Sequence, residues 1–180
     1  MIAIKGAYSA RYVEECFKLN SAMDMFPLFP NVKEITESMG AFHSVVNKMG
    51  WKALSDRAMN LIVIGDGSTP RTAGLFALRS AWNCWSVDPA LKDKAWSIKR
   101  LQLVKQKIET ATLPAMEKSV VVAVHSHGPL LLRPEWNVKL VVAIPCCLPQ
   151  DMAGVFPDSE YRDRGIWSPK NLVKVWEMAK

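Results

Sequence analysis

The fold is decided by the stretch Leu61-Ile62-Val63-Ile64-Gly65-Asp66-Gly67-Ser68-Thr69-Pro70-Arg71. Its first four residues form an unbroken apolar run, which is typical of a strand buried on both faces of a parallel sheet. Two glycines follow, and then a helix start in which Thr69 can cap the helix and Pro70 suits the first helical position. Glycines let a ligand approach the backbone closely, and free amides at a helix start favour a carboxylate or phosphate. This order of strand, turn and helix predicts an α/β sheet with a ligand-binding turn.

Further strand-sized runs follow at intervals long enough for crossovers between parallel neighbours. The predicted strands are Leu61–Gly65, Cys84–Asp88, Gln102–Ile108, Val120–His125, Leu140–Pro145 and Leu172–Glu177. Strands that alternate with helical or loop segments are typical of a sheet covered on its faces. The pattern therefore predicts an α/β fold, a Rossmann-like three-layer sandwich with a mostly parallel sheet.

Residues 1–60 are predicted to form an N-terminal helical segment packed on the sheet. An apolar stripe is formed by Tyr12, Val13, Cys16, Phe17 and Leu19. A second helix is predicted over Val32–Lys48, with Gly50 as its stop. Residues 61–180 would form the sheet domain, and the whole chain one compact domain. Tyr161–Trp167 is predicted to be a surface loop, and little room remains for a hairpin beyond the fifth strand.

Composition excludes several classes of protein. The chain has 180 residues, of which 49% are hydrophobic and 22% charged, as in ordinary globular domains. The apolar runs are shorter than the roughly 20 residues that a membrane-spanning helix needs, and no secretory signal is visible at the start. Four cysteines, two of them the adjacent Cys146 and Cys147, do not form a disulfide framework. We expect a cytoplasmic protein.

The net charge of +6 is concentrated in the middle of the chain. Six basic residues there oppose only Asp93; they are Lys92, Lys94, Lys99, Arg100, Lys105 and Lys107. Such a cluster is either a solvated helix face or a surface for a polyanion such as nucleic acid. Seven tryptophans could stack on bases, although tryptophan more often fills cores.

Asp88 ends the second predicted strand. An acidic side chain at this place, after a glycine turn on the first strand, can accept both hydroxyls of a ribose. The alternative is a plain tight turn with a helix-capping aspartate. A dinucleotide-binding turn would carry a third glycine where Pro70 stands. The sequence therefore favours S-adenosylmethionine over NAD as the nucleoside ligand.

Four turns carry a resemblance to a known family. They are Gly65-Asp66-Gly67, Asp88, His125-Ser126-His127-Gly128 and Pro145-Cys146-Cys147. In this order they resemble the class I S-adenosylmethionine-dependent methyltransferases. They are most similar to a branch with a His-x-Cys-Gly turn and a Pro-Cys-Cys turn, which includes enzymes that methylate transfer RNA. His127 stands where that branch has cysteine.

The resemblance implies a set of site residues. Gly65, Asp66 and Gly67 would border the methionine part of the cofactor, and Thr69 follows in the same turn. Asp88 would hold the ribose, and Glu109 or Thr110 would line the adenine pocket. His125 would lie near the sulfonium as the candidate base, unless it is only a structural hydrogen-bonding group. Cys146 is the candidate nucleophile toward a pyrimidine ring, unless it is inert.

Two further interpretations stay open. His125, His127, Cys146 and Cys147 are ligand types suited to zinc, but adjacent cysteines rarely bind one ion together, so we expect no metal. The chain is predicted to be a methyltransferase with RNA as acceptor and with a protein partner or a second copy as a further partner. The alternative is a catalytically inactive methyltransferase-like module that binds RNA or serves in assembly.

Overall fold

The structure is a computed structural model that describes residues 8–19, 22–146, 152 and 154–178. This part of the chain forms a seven-stranded sheet of β1 Met59–Ile64, β2 Asn83–Val87, β3 Leu101–Val104, β4 Lys118–Val124, β5 Val138–Ile144, β6 Ser159–Arg162 and β7 Leu172–Glu177. The strands lie in the order β3-β2-β1-β4-β5-β7-β6. The pairings from β3 to β5 are parallel, whereas β7 is antiparallel to both of its neighbours. The predicted α/β fold with a mostly parallel sheet, consistent with a Rossmann-like fold, is confirmed.

Two parts of the sheet differ from the prediction. β3 ends at Val104 rather than Ile108, because the chain leaves the sheet and places the Ile108 side chain in the core on one face. β6 begins two residues before the predicted loop and shares Tyr161 and Arg162 with it, and it pairs with β7 as an antiparallel hairpin. Three of its four residues are exposed, so β6 lacks the apolar pattern that marks a strand. The expectation of little room for a hairpin was therefore wrong.

The described α-helices are α1 Arg11–Phe17, α2 Ala22–Met25, α3 Val32–Met49 and α4 Arg71–Arg79. Short 3-10 turns lie at Phe26–Leu28, Trp51–Ser55 and Pro134–Trp136. The predicted second helix is confirmed as α3. It begins after Asn31, whose side-chain oxygen accepts a hydrogen bond from the Glu34 amide at 3.0 Å. None of the described helices has the length and apolar character needed to cross a bilayer.

The basic segment between β2 and β3 is irregular backbone. The helix expected for this segment is therefore wrong, whereas the expected exposure of its cations to solvent is confirmed. Its cations and Lys105, which directly follows β3, are exposed, but two of these residues have structural partners. Lys105 pairs with Asp93 at 2.8 Å, and Arg100 donates to the Ser80 carbonyl at 2.7 Å.

The two faces of the sheet are covered differently. On one face, alternate residues of β1, β4 and β5 pack with α1, α3 and α4 into a large apolar cluster. Tyr12 of α1 and Phe42 of α3 belong to this cluster, so the N-terminal helices share the core of the sheet. On the other face, the intervening residues pack under loops between β3 and β5, and no described α-helix contributes a side chain there. Trp136 and Trp176 fill this second cluster and are buried.

The segment predicted to be a surface loop is partly a core element. Asp163 is 5% exposed and accepts hydrogen bonds from the Tyr12 hydroxyl at 2.5 Å and the Gly165 amide at 2.7 Å. The Arg11 guanidinium also pairs with this carboxylate. Burial and the bond to Asp163 raise the pKa of Tyr12, so its hydroxyl stays a donor. Asp163 thereby fixes α1 to the end of β6, and Ile166 beside it is fully buried.

Asp163→Ala is expected to lower the free energy of unfolding by about 1–3 kcal/mol, because the buried Tyr12 hydroxyl would lose its acceptor. Chemical denaturation followed by circular dichroism measures the change. Glu160→Ala is the matched control, since among the described residues the Glu160 carboxylate makes one contact, to Lys174 at 3.8 Å on the surface. A control effect as large as that of Asp163→Ala would contradict the structural role of the Asp163 carboxylate.

Candidate functional site

A cavity of about 450 Å³ lies where the carboxyl ends of β1, β2 and β4 meet. Its lining residues are Ile64, Gly65, Gly67, Arg71, Val87, Asp88, Pro89, Lys107, Ile108, Glu109, His125, Ser126, His127 and Gly128. β2 and β3 lie on one side of β1, and β4 and β5 lie on its other side. The strand order therefore reverses at β1. Ligands of open α/β sheets bind at such a switch in strand order. This cavity is therefore the candidate ligand site.

Five of the residues predicted to bind a cofactor line this cavity. They are Gly65, Gly67, Asp88, Glu109 and His125. Asp66 and Thr69 do not line it, and neither does Thr110, whose hydroxyl donates to the Lys107 carbonyl at 3.2 Å. The tertiary structure thus brings together residues that come from four separate segments of the chain.

Asp66 is an internal structural residue. Its carboxylate accepts hydrogen bonds from the amides of Thr72 at 2.8 Å and Ala73 at 3.1 Å, and from the Ser86 hydroxyl at 2.9 Å. Burial raises the pKa of this carboxyl, against the opposing effect of the three donors. Asp66 therefore caps α4 and ties it to β2, which differs from the predicted contact with the methionine part of a cofactor.

The start of α4 also differs from the prediction. The Thr69 hydroxyl donates to the Leu28 carbonyl at 2.6 Å instead of capping the helix, and Pro70 is the residue before the first helical position. The Arg71 amide donates to the Thr69 carbonyl at 2.8 Å, and the Gly74 amide to the Pro70 carbonyl at 2.8 Å. The Thr72 and Ala73 amides donate to the Asp66 carboxylate. The amides at this helix start that were expected to be free therefore all have acceptors within the protein.

Gly65 makes room for the polypeptide itself. Its φ is +72°, and a Cβ at this position would lie 2.6 Å from the Cβ of Ser126, after the end of β4. Real Cβ atoms do not approach so closely, so only glycine lets the ends of β1 and β4 come together here. The sequence pattern predicted close approach at Gly65, but the group that approaches is a neighbouring strand end.

Asp88 lies beside the glycine turn, as predicted. Its Oδ2 accepts a hydrogen bond from the Gly67 amide at 2.9 Å, and its Oδ1 accepts one from the Ala90 amide at 2.7 Å. Each carboxylate oxygen has a second lone pair, so both retain capacity for a further donor. Asp88 therefore holds the turn of β1 and still presents an acceptor on the wall of the cavity.

His125 closes β4 with φ of +50°, which is rare for a residue other than glycine. Its Nε2 lies 3.1 Å from the Lys170 carbonyl, and its Nδ1 lies 3.4 Å from Glu37 Oε1. A carbonyl can only accept, so Nε2 carries a proton and donates it. Both ring nitrogens thus face protein oxygens, and the ring would have to turn before it could accept a proton from a substrate.

Cys146 follows β5 and is half-buried. Its Sγ lies 3.8 Å from the His125 carbonyl, and it does not line the large cavity. Cys147, the second cysteine of the Pro-Cys-Cys turn, lies outside the described residues. Within the described ranges, no three His, Cys, Asp or Glu side chains are grouped as for a metal ion. The role of Cys146 as a nucleophile stays a prediction.

Sequence reasoning missed two cations on the wall of the cavity. Arg71 is the first residue of α4, and Lys107 lies in the irregular segment after β3. The only sequence signal for Arg71 was its place directly after the glycine turn. Lys107 was singled out for its charge, but not for a place in the ligand site. With Asp88 and Glu109, these residues give the cavity two positive and two negative side chains.

No protein-family model matches this chain, and no curated protein gives a significant match.

Gly65→Ala is expected to lower the free energy of unfolding by about 2–4 kcal/mol, because it adds a collision with Ser126 to the cost of positive φ. Gly50→Ala is the matched control: Gly50 has φ of +79° but no neighbour within 4 Å of an added Cβ. With ψ of +155° as well, Gly50 lies in a backbone region that only glycine adopts readily, so the control should cost about 1–3 kcal/mol from backbone strain alone. Equal losses of stability in urea titrations would contradict the close approach of the strand ends.

Proposed function

We propose that this protein is an S-adenosylmethionine-dependent methyltransferase with RNA as its acceptor. The observation that carries the proposal is the position of Asp88. Its carboxylate lies on the wall of a cavity at the switch in strand order. It accepts a hydrogen bond from the Gly67 amide in the glycine turn after β1. A sugar hydroxyl needs an acceptor at this place, and Asp88 has the lone pairs to serve.

The cavity fits a nucleoside in size and in lining. Its volume of about 450 Å³ lies within the range of small-molecule sites. Ile64, Val87 and Ile108 give it an apolar wall suited to a flat base, and Glu109 adds an acceptor at the rim. Asp88 follows β2, which lies in the sheet between β1 and β3. The glycine turn follows β1, and Ile108 comes after β3. We therefore expect adenine toward Ile108 and the other end of the ligand toward Gly67.

The sheet order supports the same ligand class. A dinucleotide-binding sheet has the order 3-2-1-4-5-6. Here β7 is inserted antiparallel between β5 and β6, and Pro70 stands where a dinucleotide turn has its third glycine. Both features agree with the resemblance to class I methyltransferases. We propose a reduced form of the three-layer sandwich, in which loops rather than helices cover the second face.

Methyl transfer places modest demands on the protein. When bound, S-adenosylmethionine supplies a methyl group on a sulfonium, which is already a strong electrophile. The chain then has to hold the acceptor atom in line with the bond between the methyl carbon and the sulfur. His125 lies at the β4 side of the cavity, where this alignment would take place. In the present ring orientation His125 positions the acceptor, and it can take a proton once the ring turns away from Glu37.

The inactive module is the second candidate function. One observation favours it: both ring nitrogens of His125 face protein oxygens, so the candidate base presents no open acceptor. Such a chain would bind the nucleoside and RNA without transferring a methyl group. Binding and transfer therefore have to be measured separately.

Asp88→Ala is expected to weaken S-adenosylmethionine binding more than tenfold, because a charged acceptor for a sugar hydroxyl contributes about 1.5–3 kcal/mol. Isothermal titration calorimetry on the full chain measures this change. Asp93→Ala is the matched control, since the exposed Asp93 lies in the following loop and, within the described ranges, its carboxylate pairs with Lys105 alone. Unchanged affinity in Asp88→Ala would contradict the ribose assignment.

Incubation with methyl-labelled S-adenosylmethionine and separate RNA, DNA and protein acceptors tests the activity itself. Label in the RNA supports the methyltransferase, whereas binding without transfer supports the inactive module. A wild-type chain that binds no S-adenosylmethionine would overturn both forms of the proposal.

The acceptor is proposed from the basic surface between β2 and β3. Lys92, Lys94 and Lys99 are exposed, and Lys94 Nζ lies 4.2 Å above the centre of the Trp96 ring. In the described part of the chain, Lys92 and Lys99 make no ion pair. Lys107, which follows β3, also lines the cavity, so the basic residues of this region extend to the ligand site. A phosphate backbone bound along it would approach the end of the cavity that holds the adenine in this proposal.

Replacing Lys92, Lys94 and Lys99 together with Gln is expected to weaken binding of single-stranded RNA and to lower the slope of log K against log salt by about 2, since each phosphate contact contributes roughly 0.7. Fluorescence anisotropy at several salt concentrations measures both quantities. Replacing Lys18, Lys48 and Lys52 with Gln removes the same charge from the N-terminal helical segment and serves as control. An equal fall in slope in the control would contradict a specific RNA surface.

A further inference from the structure

Arg71 occupies the wall between two adjoining cavities. One is the large cavity of the ligand site, and the other has about 90 Å³ and lies between α3 and α4. His125 is the other residue that lines both. The Arg71 side chain is 21% exposed, which is low for an arginine. A guanidinium that is mostly buried needs hydrogen-bond acceptors or an ion-pair partner within the protein. The positions of these partners determine the orientation of the group.

Two contacts hold the Arg71 guanidinium in place. Its Nε donates a hydrogen bond to the Asp66 carbonyl at 2.9 Å, and its Nη1 pairs with Glu34 Oε2. A Cβ at Gly67 would lie 2.5 Å from Nη2, so glycine at this position leaves the space that the guanidinium occupies. Within the described residues, Nη2 has no hydrogen-bond acceptor. It lies beside Gly67, which lines the large cavity.

The amides of Gly67 and of the first turn of α4 already have acceptors within the protein. The first four amides of α4 donate to Asp66, Thr69 and Pro70, as described above. The Gly67 amide donates to Asp88. Arg71 is therefore the strongest donor that remains at this end of the cavity. Guanidinium groups form stronger hydrogen bonds to carboxylates and phosphates than neutral donors do.

We propose that Arg71 binds the anionic end of an adenosine-bearing ligand, a carboxylate or a phosphate, through its Nη2 edge. The carboxylate form of this inference rests on the proposed function, because S-adenosylmethionine carries an amino-acid carboxylate beyond its sugar. Asp88 would hold the sugar, and Arg71 would select ligands with a negative group over neutral nucleosides. Gly67 and Glu34 are positioning residues for the guanidinium.

The test compares three stable probes by isothermal titration calorimetry on the full chain. S-adenosylhomocysteine carries the carboxylate, 5′-methylthioadenosine lacks the amino-acid end, and AMP carries a phosphate. Arg71→Gln is expected to weaken S-adenosylhomocysteine binding at least tenfold and to change 5′-methylthioadenosine binding less than twofold. The second probe shows whether the variant keeps a folded cavity. AMP shows whether phosphate can take the place of carboxylate.

Three further variants separate charge from fold. Arg71→Lys keeps the charge but loses the planar fork, so an intermediate loss is expected. Glu34→Gln removes a tether while keeping the guanidinium, and it should weaken S-adenosylhomocysteine binding less than Arg71→Gln does. Arg57→Gln removes an exposed arginine that lies outside the cavity and should leave all three affinities unchanged. Thermal unfolding of each variant identifies any that are destabilised.

Each outcome decides a different point. If wild type and Arg71→Gln bind S-adenosylhomocysteine equally, the role of Arg71 is overturned while the proposed ligand class stands. If only AMP binds, and binds through Arg71, the anion role is supported and the methyltransferase proposal fails. If Arg71→Gln weakens all three probes equally, the residue supports the fold rather than the anion. If no probe binds the wild-type chain, both proposals are overturned.

Discussion

The buried carboxylate of Asp66 is the constraint on which the ligand end of this sheet depends. It accepts hydrogen bonds from two amides of α4 and from the hydroxyl of Ser86 in β2. Because a buried carboxylate without donors is costly, these partners have to stay in place. One side chain thereby fixes the turn after β1, the start of α4 and the end of β2. The same amides are then closed to any ligand.

This use of the helix start changes how the cavity can recognise charge. In many α/β sheets the first amides of a helix hold an anion. Here they serve the protein's own carboxylate, and the charged groups that face the cavity are side chains from different segments. Asp88 and Arg71 flank the glycine turn, and both are bonded to its backbone. Gly67 is in contact with each of them, so the turn sets the distance between the acidic and the basic wall.

The uneven covering of the sheet has a consequence for the site. Helices pack on one face, whereas the chain between β3 and β5 covers the other as loops. These loops carry Lys107, Glu109 and the turn at Ser126 to the cavity. The His125 ring lies 3.4 Å from Glu37 on the helical side and donates a hydrogen bond to the Lys170 carbonyl. The cavity is therefore built where the helical and the irregular coverings meet.

Much of the sheet was predictable from local sequence. Leu61–Ile64 and Val120–Val124 are continuous apolar runs, and burial on both faces requires such runs wherever they occur. Gly65 and Asp88 could be assigned to a site because the ends of parallel strands meet at one edge of the sheet. These features depend on periodicity and on strand direction, which a single sequence carries.

Partners that are distant in the chain were decided only by the tertiary structure. The local sequence does not show whether Asp66 or Thr69 caps α4. Asp66 is the cap because it is buried beside Ser86, whose hydroxyl donates a hydrogen bond to it. β6 has no apolar pattern and forms by backbone pairing with β7. Asp163 is a core residue because Tyr12 reaches it across 151 positions of sequence. The sequence by itself determined where strands run, whereas packing decided which polar groups face the ligand and which satisfy the fold, because a buried polar group takes whichever partner the folded chain brings within reach.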